Sequence, residues 1–137
     1  MANRFNIRVY GIWLHEGMVL INEEMIRGKK IVKFPGGGLE LGEGTIDGLR
    51  REWKEELDMD ITVKGHFYTT DFFQPSAYDD SQILSIYYWV AGDPDAVLVN
   101  KMENERTLWL PHTDLHEDLF TLPIDRKVGA MLAQLLG

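Results

Sequence analysis

The sequence predicts an α/β domain in which helices cover a mixed β-sheet. Segments rich in β-branched and aromatic residues occur in both halves of the chain, and two amphipathic segments lie among and after them. Strands on both sides of a central helix, followed by a closing helix, favour this layered arrangement. The length of 137 residues is enough for one hydrophobic core and too short for two. We therefore expect one domain spanning residues 1–137.

A hairpin followed by a glycine-rich turn is predicted for the first part of the chain. Phe5 to His15 is rich in β-branched and aromatic side chains, Glu16-Gly17 is typical of a turn, and Met18 to Asn22 forms the returning strand. Ile31 to Phe34 is predicted as a third strand, which Pro35-Gly36-Gly37-Gly38 ends.

The segment from Thr45 to Leu57 is predicted to form a helix. Thr45 is suited to cap it, and Asp47 lies in the first turn, where a negative charge is favourable. At about 100° per residue, four apolar side chains fall within an arc of roughly 80°. This stripe, which we expect to be buried, consists of Ile46, Leu49, Trp53 and Leu57.

The second half continues with strands and ends in a helix. The predicted elements are a strand over Ile61 to Thr69, a loop over Asp71 to Ser81, a strand over Ile83 to Ala91, a turn at Gly92-Asp93-Pro94-Asp95, two weaker strands over Ala96 to Asn100 and Arg106 to Leu110, and a helix over Pro123 to Leu136.

Composition excludes several classes of function. The absence of cysteine removes disulfide scaffolds, thiol nucleophiles and cysteine-based zinc sites. Lys and Arg number 14 against 22 for Asp and Glu, a net charge of −8, which argues against binding to nucleic acid or to an anionic membrane. With no apolar stretch long enough to span a membrane and no secretion signal, we expect a cytoplasmic protein.

Three carboxylates share one side of the predicted central helix. Glu52, Glu55 and Glu56 are spaced three and four residues apart, which costs an isolated helix a few tenths of a kcal/mol per pair. A bound Mg²⁺ would offset this repulsion, because that ion takes one or two carboxylates together with phosphate oxygens. The alternative is an ordinary solvated face, balanced by the neighbouring basic residues Arg50, Arg51 and Lys54.

The loop before this helix adds features of a phosphate site. Gly36-Gly37-Gly38 allows close backbone approach and leaves N–H groups for an anion, and Glu40 and Glu43 lie between the glycines and the helix. Each feature alone is usually a turn or a charged surface. Their joint spacing favours a phosphate site bridged by a metal ion.

The residues from Gly37 to Met59 resemble the signature of the Nudix hydrolases. Gly37, Glu43 and the run Arg51-Glu52-Trp53-Lys54-Glu55-Glu56-Leu57 stand at the spacing of that signature, and Phe34-Pro35-Gly36 resembles its usual lead-in. Asp58 stands where the family has glycine, and its expected role is the left-handed turn that ends the helix. Gly48 replaces the usual alanine, which weakens the helix by ~1 kcal/mol and allows a close approach to the sheet.

The resemblance implies a Nudix-like α/β/α sandwich, with a mixed β-sheet flanked by helices. It also implies hydrolysis of nucleoside diphosphates linked to another group, so that the partner is a small nucleotide substrate. A homodimer is compatible with it. By resemblance, the catalytic residues are Glu55, Arg51 and Glu52, the ligands of Mg²⁺ (or Mn²⁺) are Glu52, Glu55 and Glu56, and the phosphate loop comprises Gly37, Gly38 and Glu43.

The general base and the substrate depend on residues outside the signature. Glu55 is the first candidate for the base, and Glu103 or Glu105 is the second. Aromatic residues of the 71–81 loop can stack on a base or pack the loop onto the sheet. The candidate substrate-binding residues are Phe73, Tyr78 and Glu105, with Phe72 as a further aromatic on that loop.

Two substrate types and one non-catalytic function stay open. Pro75 stands about as far beyond the signature as a proline in ADP-ribose-type Nudix enzymes, which favours ADP-ribose or another nucleotide sugar, while nucleoside triphosphates are the other type. The alternative is a Nudix-fold nucleotide-binding or regulatory module without significant catalysis. We expect Trp109 to belong to the core, and His112 and His116 to be solvated rather than metal-bound.

Overall fold

Eight strands and two α-helices form the fold over residues 2–137, the part of the chain that this computed structural model describes. Their bounds are β1 (Arg4–Ile12), β2 (Leu14–His15), β3 (Met18–Ile26), β4 (Lys29–Lys33), β5 (Gly36–Gly38), α1 (Thr45–Leu57), β6 (Thr62–Thr69), β7 (Ser81–Ala91), β8 (Glu105–Pro111) and α2 (Pro123–Leu136). Two single-turn 3₁₀ helices, His112–Asp114 and Glu117–Leu119, connect β8 to α2.

The strands form two sheets. The first is mixed, with the order β5-β1-β7-β6, in which β1 and β7 run parallel and the two outer strands are antiparallel to their neighbours. The second is antiparallel, with β3 paired to β2, β4 and β8. Two registers matter for the site: Arg8 stands opposite Gly38 in the first sheet, and Glu24 stands opposite Glu105 in the second.

The helices cover opposite faces of the strands. Val9 of β1 belongs to a buried cluster with Leu49, Trp53 and Leu57 of α1. The next residue, Tyr10, belongs to a second cluster with side chains of α2, including Val128. This alternation follows from the two-residue period of a strand. The expected α/β/α fold class is therefore confirmed.

Both predicted helices and the end of α1 are confirmed. α1 spans Thr45–Leu57 and α2 spans Pro123–Leu136, as predicted. Asp58 adopts φ 53° and ψ 39°, the left-handed conformation, and its N–H donates to the carbonyl of Lys54. No helix within residues 2–137 has the length and apolar character needed to cross a membrane.

Four strand predictions need correction. The segment from Phe5 to His15, predicted as one strand, forms two, because β1 ends at Ile12 in the first sheet and β2 pairs with β3 in the second. The glycine segment predicted as a turn forms β5, because Gly36–Gly38 pairs with β1, a tertiary contact that glycine's low strand propensity does not predict. The predicted strand over Ala96 to Asn100 is not formed; the segment has no partner strand, and Val97 is exposed. β3 extends beyond Asn22 to Ile26, where Arg27 and Gly28, both with positive φ, make the hairpin turn to β4.

Three details of α1 also differ from prediction. The N-cap residue is Gly44, not Thr45, whose hydroxyl instead hydrogen-bonds the Tyr88 phenol at 2.7 Å. Ile46 is exposed, because it lies at the helix N-terminus beyond the buried cluster. A Cβ on Gly48 would lie 2.5 Å from a Leu39 methyl, so this glycine permits close contact with the preceding loop rather than with the sheet.

Candidate active site

Arg51 links the glycine strand to the carboxylates of α1. Its guanidinium donates to both oxygens of Glu43 at 2.7 and 2.9 Å and to the carbonyl of Gly38 at 2.9 Å. It also donates to Glu52 at 3.1 Å and to Glu55 at 3.2 Å. A planar guanidinium can satisfy this many acceptors at once, whereas an ammonium group cannot. Arg51 therefore fixes the loop and the helix carboxylates in one arrangement.

The carboxylate of Glu43 closes the loop that enters α1. In addition to the two bonds from Arg51, it accepts a hydrogen bond from the backbone N–H of Glu40 at 2.8 Å. The hydrogen bonds from Arg51, followed by that from the Glu40 backbone, lower the pKa of Glu43 to about 2. Glu43 is thus a permanently ionised structural partner of Arg51.

Two glycines of β5 are required by close approach. A Cβ on Gly36 would lie 2.0 Å from the carbonyl oxygen of Val9, and its φ of 153° is one that L-residues rarely adopt. A Cβ on Gly37 would lie 2.6 Å from a carboxylate oxygen of Glu52. The absence of a side chain at Gly37 therefore lets the Glu52 carboxylate lie directly against β5.

Carboxylates from α1 and from the second sheet converge beside Lys33. Glu52 and Glu56 lie one turn apart on α1, and Glu105 stands opposite Glu24 where β3 pairs with β8. Burial, then the Glu105 carboxylate, raises the pKa of Glu56, while Lys33 opposes the shift. Burial also raises the pKa of Glu105. The cluster thus holds more negative charge than its surroundings stabilise.

Lys33 is the buried cation of this cluster. Its side chain is 9% exposed, and its ammonium donates to Glu24 at 2.9 Å. One lysine does not balance the several carboxylates that face it. Lys33 also lines the cavity described below, so it stands between that cavity and the carboxylates.

The donor set suits a divalent cation such as Mg²⁺. Within the described residues, no three acidic or histidine side chains are already arranged as a complete ligand set. Mg²⁺ does not require one, since it binds one or two carboxylates and keeps several waters. Glu52 and Glu56 supply two carboxylates one helical turn apart, and Glu56, which forms no ion pair within residues 2–137, favours a cation. Glu55 is more exposed, at 59%, and is turned toward Arg51.

A cavity of about 220 Å³ lies beside these carboxylates. Arg8 and Lys33 line it on the side toward the helix carboxylates, and Asp125 and Tyr87 contribute from α2 and β7. Arg8 donates to the Tyr10 phenol at 2.5 Å, and it attracts the charges of both Glu52 and Asp125. Glu24 and Lys33 belong both to the cavity lining and to the carboxylate cluster, so the two adjoin at this ion pair.

The structure brings together most, but not all, of the residues that the sequence predicted. Arg51, Glu52, Glu56, Gly37, Gly38 and Glu43 meet at the loop–helix unit, with Glu55 at its edge and Glu105 beside Glu56. Tyr78 lines the cavity, where the Arg27 guanidinium lies 5.2 Å from its ring centre.

Two other aromatic residues of that loop lie away from the cavity lining. Phe73 is 63% exposed, and Phe72 lies under the Lys127 ammonium. Trp109 packs edge-on against Trp13, with ring centres 4.7 Å apart, in agreement with its predicted place in the core.

Sequence reasoning missed Arg8, Lys33 and Asp125. Arg8 and Lys33 are basic residues within strands, and Asp125 lies in the first turn of α2, where an acidic residue is common. Arg8 belongs to the first sheet, Lys33 to the second and Asp125 to α2, so only the packing of these three elements brings them to one cavity. The sequence signal that could have identified Arg8 and Lys33 is a charged residue at an inward-facing position of a predicted strand.

The fold and this site together define an α/β/α protein with a glycine strand, a helix rich in carboxylates and an arginine that joins them. The chain belongs to the Nudix hydrolase family, since the NUDIX domain model matches residues 4–131. It is a Nudix hydrolase, an enzyme class that hydrolyses nucleoside diphosphates linked to another group.

Solved structures of similar fold include several MutT and Nudix proteins. One is MutT from work on Aliivibrio salmonicida and Vibrio cholerae, at 20% identity and a TM-score of 0.74, covering 96% of this chain and 99% of that one. The MutT protein of Methanosarcina mazei is 17% identical, with a TM-score of 0.77, and the match covers 99% of this chain and 98% of that one. A NUDIX hydrolase from Nitrosomonas europaea is 19% identical, with a TM-score of 0.75, and the match covers 96% of this chain and 90% of that one. No curated protein matches the chain.

Proposed function

We propose that this protein is a hydrolase of nucleoside diphosphate derivatives that depends on Mg²⁺ or Mn²⁺. The observation that carries the proposal is the convergence of Glu52, which Arg51 ties to the glycine strand, with Glu56, a largely buried carboxylate with no ion pair within residues 2–137. A carboxylate pair of this kind is costly unless a cation binds it. Phosphoryl chemistry needs such a cation, because catalysis there rests on positioning and charge neutralisation.

In this proposal each residue of the loop–helix unit has a distinct role. Glu52, Glu55 and Glu56 hold the cation, which when bound neutralises charge on the phosphate oxygens. Arg51 keeps Glu52 and Glu55 oriented, and Glu43 keeps Arg51 oriented. Gly37 and Gly38 form the wall along which the diphosphate lies.

The reaction is attack of water on one phosphorus of the diphosphate. A new P–O bond forms, the bridging P–O bond breaks with its electron pair leaving on the bridging oxygen, and the water proton passes to a carboxylate. Glu55 is our first candidate for that carboxylate, because its exposed position gives water access. Glu105, beside Glu56, is the second. Glu103 is exposed and stands outside both the cluster and the cavity lining.

The cavity beside the carboxylates is the proposed site for the nucleoside end of the substrate. Its volume of about 220 Å³ is smaller than that of pockets for whole drug-sized ligands, which suits one heterocyclic ring system. Tyr78 lines the cavity and offers an aromatic face to a base. Phe73 is exposed and does not line the cavity, so we do not propose the same role for it. Nucleoside triphosphates and nucleotide sugars such as ADP-ribose are both compatible with this placement. We place this activity in the cytoplasm, with no nucleic-acid or membrane partner.

The test is release of phosphate-containing products from a panel of nucleotides. The panel comprises nucleoside triphosphates, ADP-ribose, other nucleotide sugars and dinucleoside polyphosphates, each with Mg²⁺, Mn²⁺ or EDTA. We expect turnover of at least one member with a divalent cation, and none with EDTA. The Glu56→Gln variant should lose turnover at least 100-fold, whereas Glu117→Gln, an exposed site on the second 3₁₀ helix, should keep it.

Two outcomes would contradict the proposal. Turnover that persists in EDTA would show that the reaction does not depend on a divalent cation. Folded protein that binds nucleotides yet turns over none of them would indicate a nucleotide-binding module without significant catalysis.

A further inference from the structure

The connection between β7 and β8, residues 92–104, is attached to the C-terminal end of α1. The backbone N–H of Lys101 donates to the carbonyl of Glu56 at 3.1 Å, and the Lys101 ammonium lies 3.5 Å from a carboxylate oxygen of Asp58. The last four carbonyls of an α-helix have no partner within the helix, so Lys101 satisfies one of them. Lys101 therefore joins the 92–104 connection to α1 at a carboxylate of the candidate cation site.

The same connection is attached to β3 just before β8 begins. The N–H of Met25 donates to the carbonyl of Asn104 at 2.9 Å, and the Asn104 amide donates to the carbonyl of Met25 at 3.1 Å. Glu105 is the first residue of β8, and its N–H donates to the carbonyl of Met102 at 3.1 Å, which closes a turn. This turn links the attachment at Lys101 to Glu105 over a short stretch of backbone.

Glu105 and Glu56 are like charges that face each other across this junction. After burial, the Glu105 carboxylate is the largest cause of the raised pKa of Glu56. Two carboxylates at such a distance repel, so the attachments on both sides of Glu105 oppose their separation before a cation binds. The attachment to β3 is made by Asn104, and the attachment to α1 is made by Lys101.

Asp58 is the point at which this chain departs from the family signature, and it lies at the same junction. Its φ of 53° is disfavoured for a residue with a side chain, and glycine would end the helix without that cost. Glycine, however, has no carboxylate to attract a cation. The Asp58 carboxylate lies 3.5 Å from the Lys101 ammonium and 3.6 Å from that of Lys54. The departure therefore adds a charge where the 92–104 connection meets α1.

We propose that Asp58 is a positioning residue that acts through Lys101 to hold Glu105 beside Glu56. This inference rests on the proposed function, because Glu56 is one of the carboxylates that the cation would use. The ion pair is partly exposed, at 50% for Asp58 and 44% for Lys101, so we expect effects of a few-fold rather than a complete loss.

The first experiment measures amide hydrogen exchange at Lys101 by NMR, in EDTA and without nucleotide. The variants are Asp58→Asn and Lys101→Met. Asparagine tolerates the left-handed conformation, so Asp58→Asn removes the charge and keeps the backbone. We expect the Lys101 amide to be protected in the parent protein, and its protection factor to fall about 2-fold to 5-fold in both variants.

The second experiment measures Mn²⁺ affinity, and it separates positioning from simple electrostatics. Loss of the positive charge of Lys101 would by itself strengthen binding of a cation. If Lys101 positions Glu105, Lys101→Met should instead weaken Mn²⁺ binding, by about 2-fold to 5-fold, as should Asp58→Asn. In a Glu105→Gln background neither substitution should weaken it further, because the carboxylate that they position is gone.

The matched control is Asp60→Asn, which removes the same charge from an exposed residue. Asp60 lies 3.5 Å from the ammonium of Lys54, which also pairs with Asp58, but it makes no ion pair with Lys101 within residues 2–137. Asp60→Asn should leave the protection of Lys101 and the Mn²⁺ affinity unchanged.

Several results would overturn the inference. They are an unprotected Lys101 amide in the parent protein, unchanged protection in Asp58→Asn, tighter Mn²⁺ binding by Lys101→Met, and an effect of Asp58→Asn on Mn²⁺ affinity that is equal with and without Glu105. Failure of the proposed function is distinguishable from these. A parent protein that shows every expected effect yet hydrolyses no nucleotide would contradict the proposed function alone, whereas cation-dependent hydrolysis with parental Mn²⁺ affinity in both variants would contradict this inference alone.

Discussion

At the scale of single residues, the site depends on how charges are compensated. Arg51 is surrounded by acceptors, with Glu43, Glu52, Glu55 and the Gly38 carbonyl all within hydrogen-bond distance. The sequence allowed Arg51 and the helix carboxylates to be predicted as one site because their spacing is local. It did not allow Asp125 to be predicted, because Asp125 lines a cavity that only the packed fold creates.

Replacement of Arg51 by lysine tests the need for a planar, multiply donating group. Arg51→Lys keeps the charge but cannot bond Glu43, Glu52 and the Gly38 carbonyl together. We expect the free energy of unfolding, measured by urea denaturation, to fall by about 1–3 kcal/mol. Arg50→Lys, at the exposed neighbouring position, is the control and should change it by less than about 0.5 kcal/mol. Equal effects of the two variants would contradict the role given to Arg51.

Three glutamine variants distinguish the candidates for the general base. Loss of the base should lower kcat about 10²-fold to 10⁴-fold with a smaller change in KM. We expect this for Glu55→Gln, and only a modest loss for Glu105→Gln. Glu103→Gln, at an exposed residue two positions from Glu105, is the control and should keep the parent rate. A larger loss of kcat in Glu105→Gln than in Glu55→Gln would identify Glu105 as the general base instead.

The stability of the fold should depend on pH through Asp125. Burial, opposed by the Tyr87 hydrogen bond, raises the pKa of Asp125 from 3.8 to about 6. A carboxyl group whose pKa is raised in the folded protein stabilises the fold at pH values below its pKa in the unfolded chain. This contribution is lost as the pH rises through its pKa in the folded protein. At pH 8, Asp125→Asn should therefore be more stable than the parent by about 2–3 kcal/mol. The gap should close toward pH 4 in urea denaturation series, and a constant gap would contradict the assigned pKa.

At the scale of secondary structure, elements that depend on local sequence signals were predicted correctly, whereas elements that depend on tertiary contacts were not. The bounds of α1 and α2 followed from periodicity and end signals, which are local properties. The strand nature of Gly36–Gly38 did not, because its pairing with β1 joins segments far apart in sequence. Conversely, the apolar segment 96–100 resembled a strand but has no edge to pair with.

The end of α1 offers a test at this scale. Asp58 occupies a left-handed conformation with φ 53°, where glycine is favoured. Asp58→Gly should therefore raise the free energy of unfolding by about 0.5–1 kcal/mol, measured by urea denaturation. Asp60→Gly, at an exposed residue outside the positive-φ set, should not raise it. Destabilisation by Asp58→Gly would mean that its contacts with Lys54 and Lys101 outweigh the backbone strain.

At the scale of the whole molecule, an acidic protein is proposed to bind an anionic substrate. The net charge of −8 would repel nucleotides unless fixed cations and a bound metal ion intervene. Arg8 and Lys33 supply the fixed cations at the boundary between cavity and carboxylates. Composition allowed the need for a divalent cation to be predicted, but not where the base binds, because both sheets and α2 contribute to the cavity.

Titration of Mn²⁺ into the protein, followed by electron paramagnetic resonance of the free ion, tests the central claim that the carboxylates of α1 bind a divalent cation. We predict saturable binding by the parent protein and by Glu117→Gln, competition by Mg²⁺, and affinity at least tenfold weaker in Glu56→Gln. Unchanged Mn²⁺ affinity in Glu56→Gln would contradict the site.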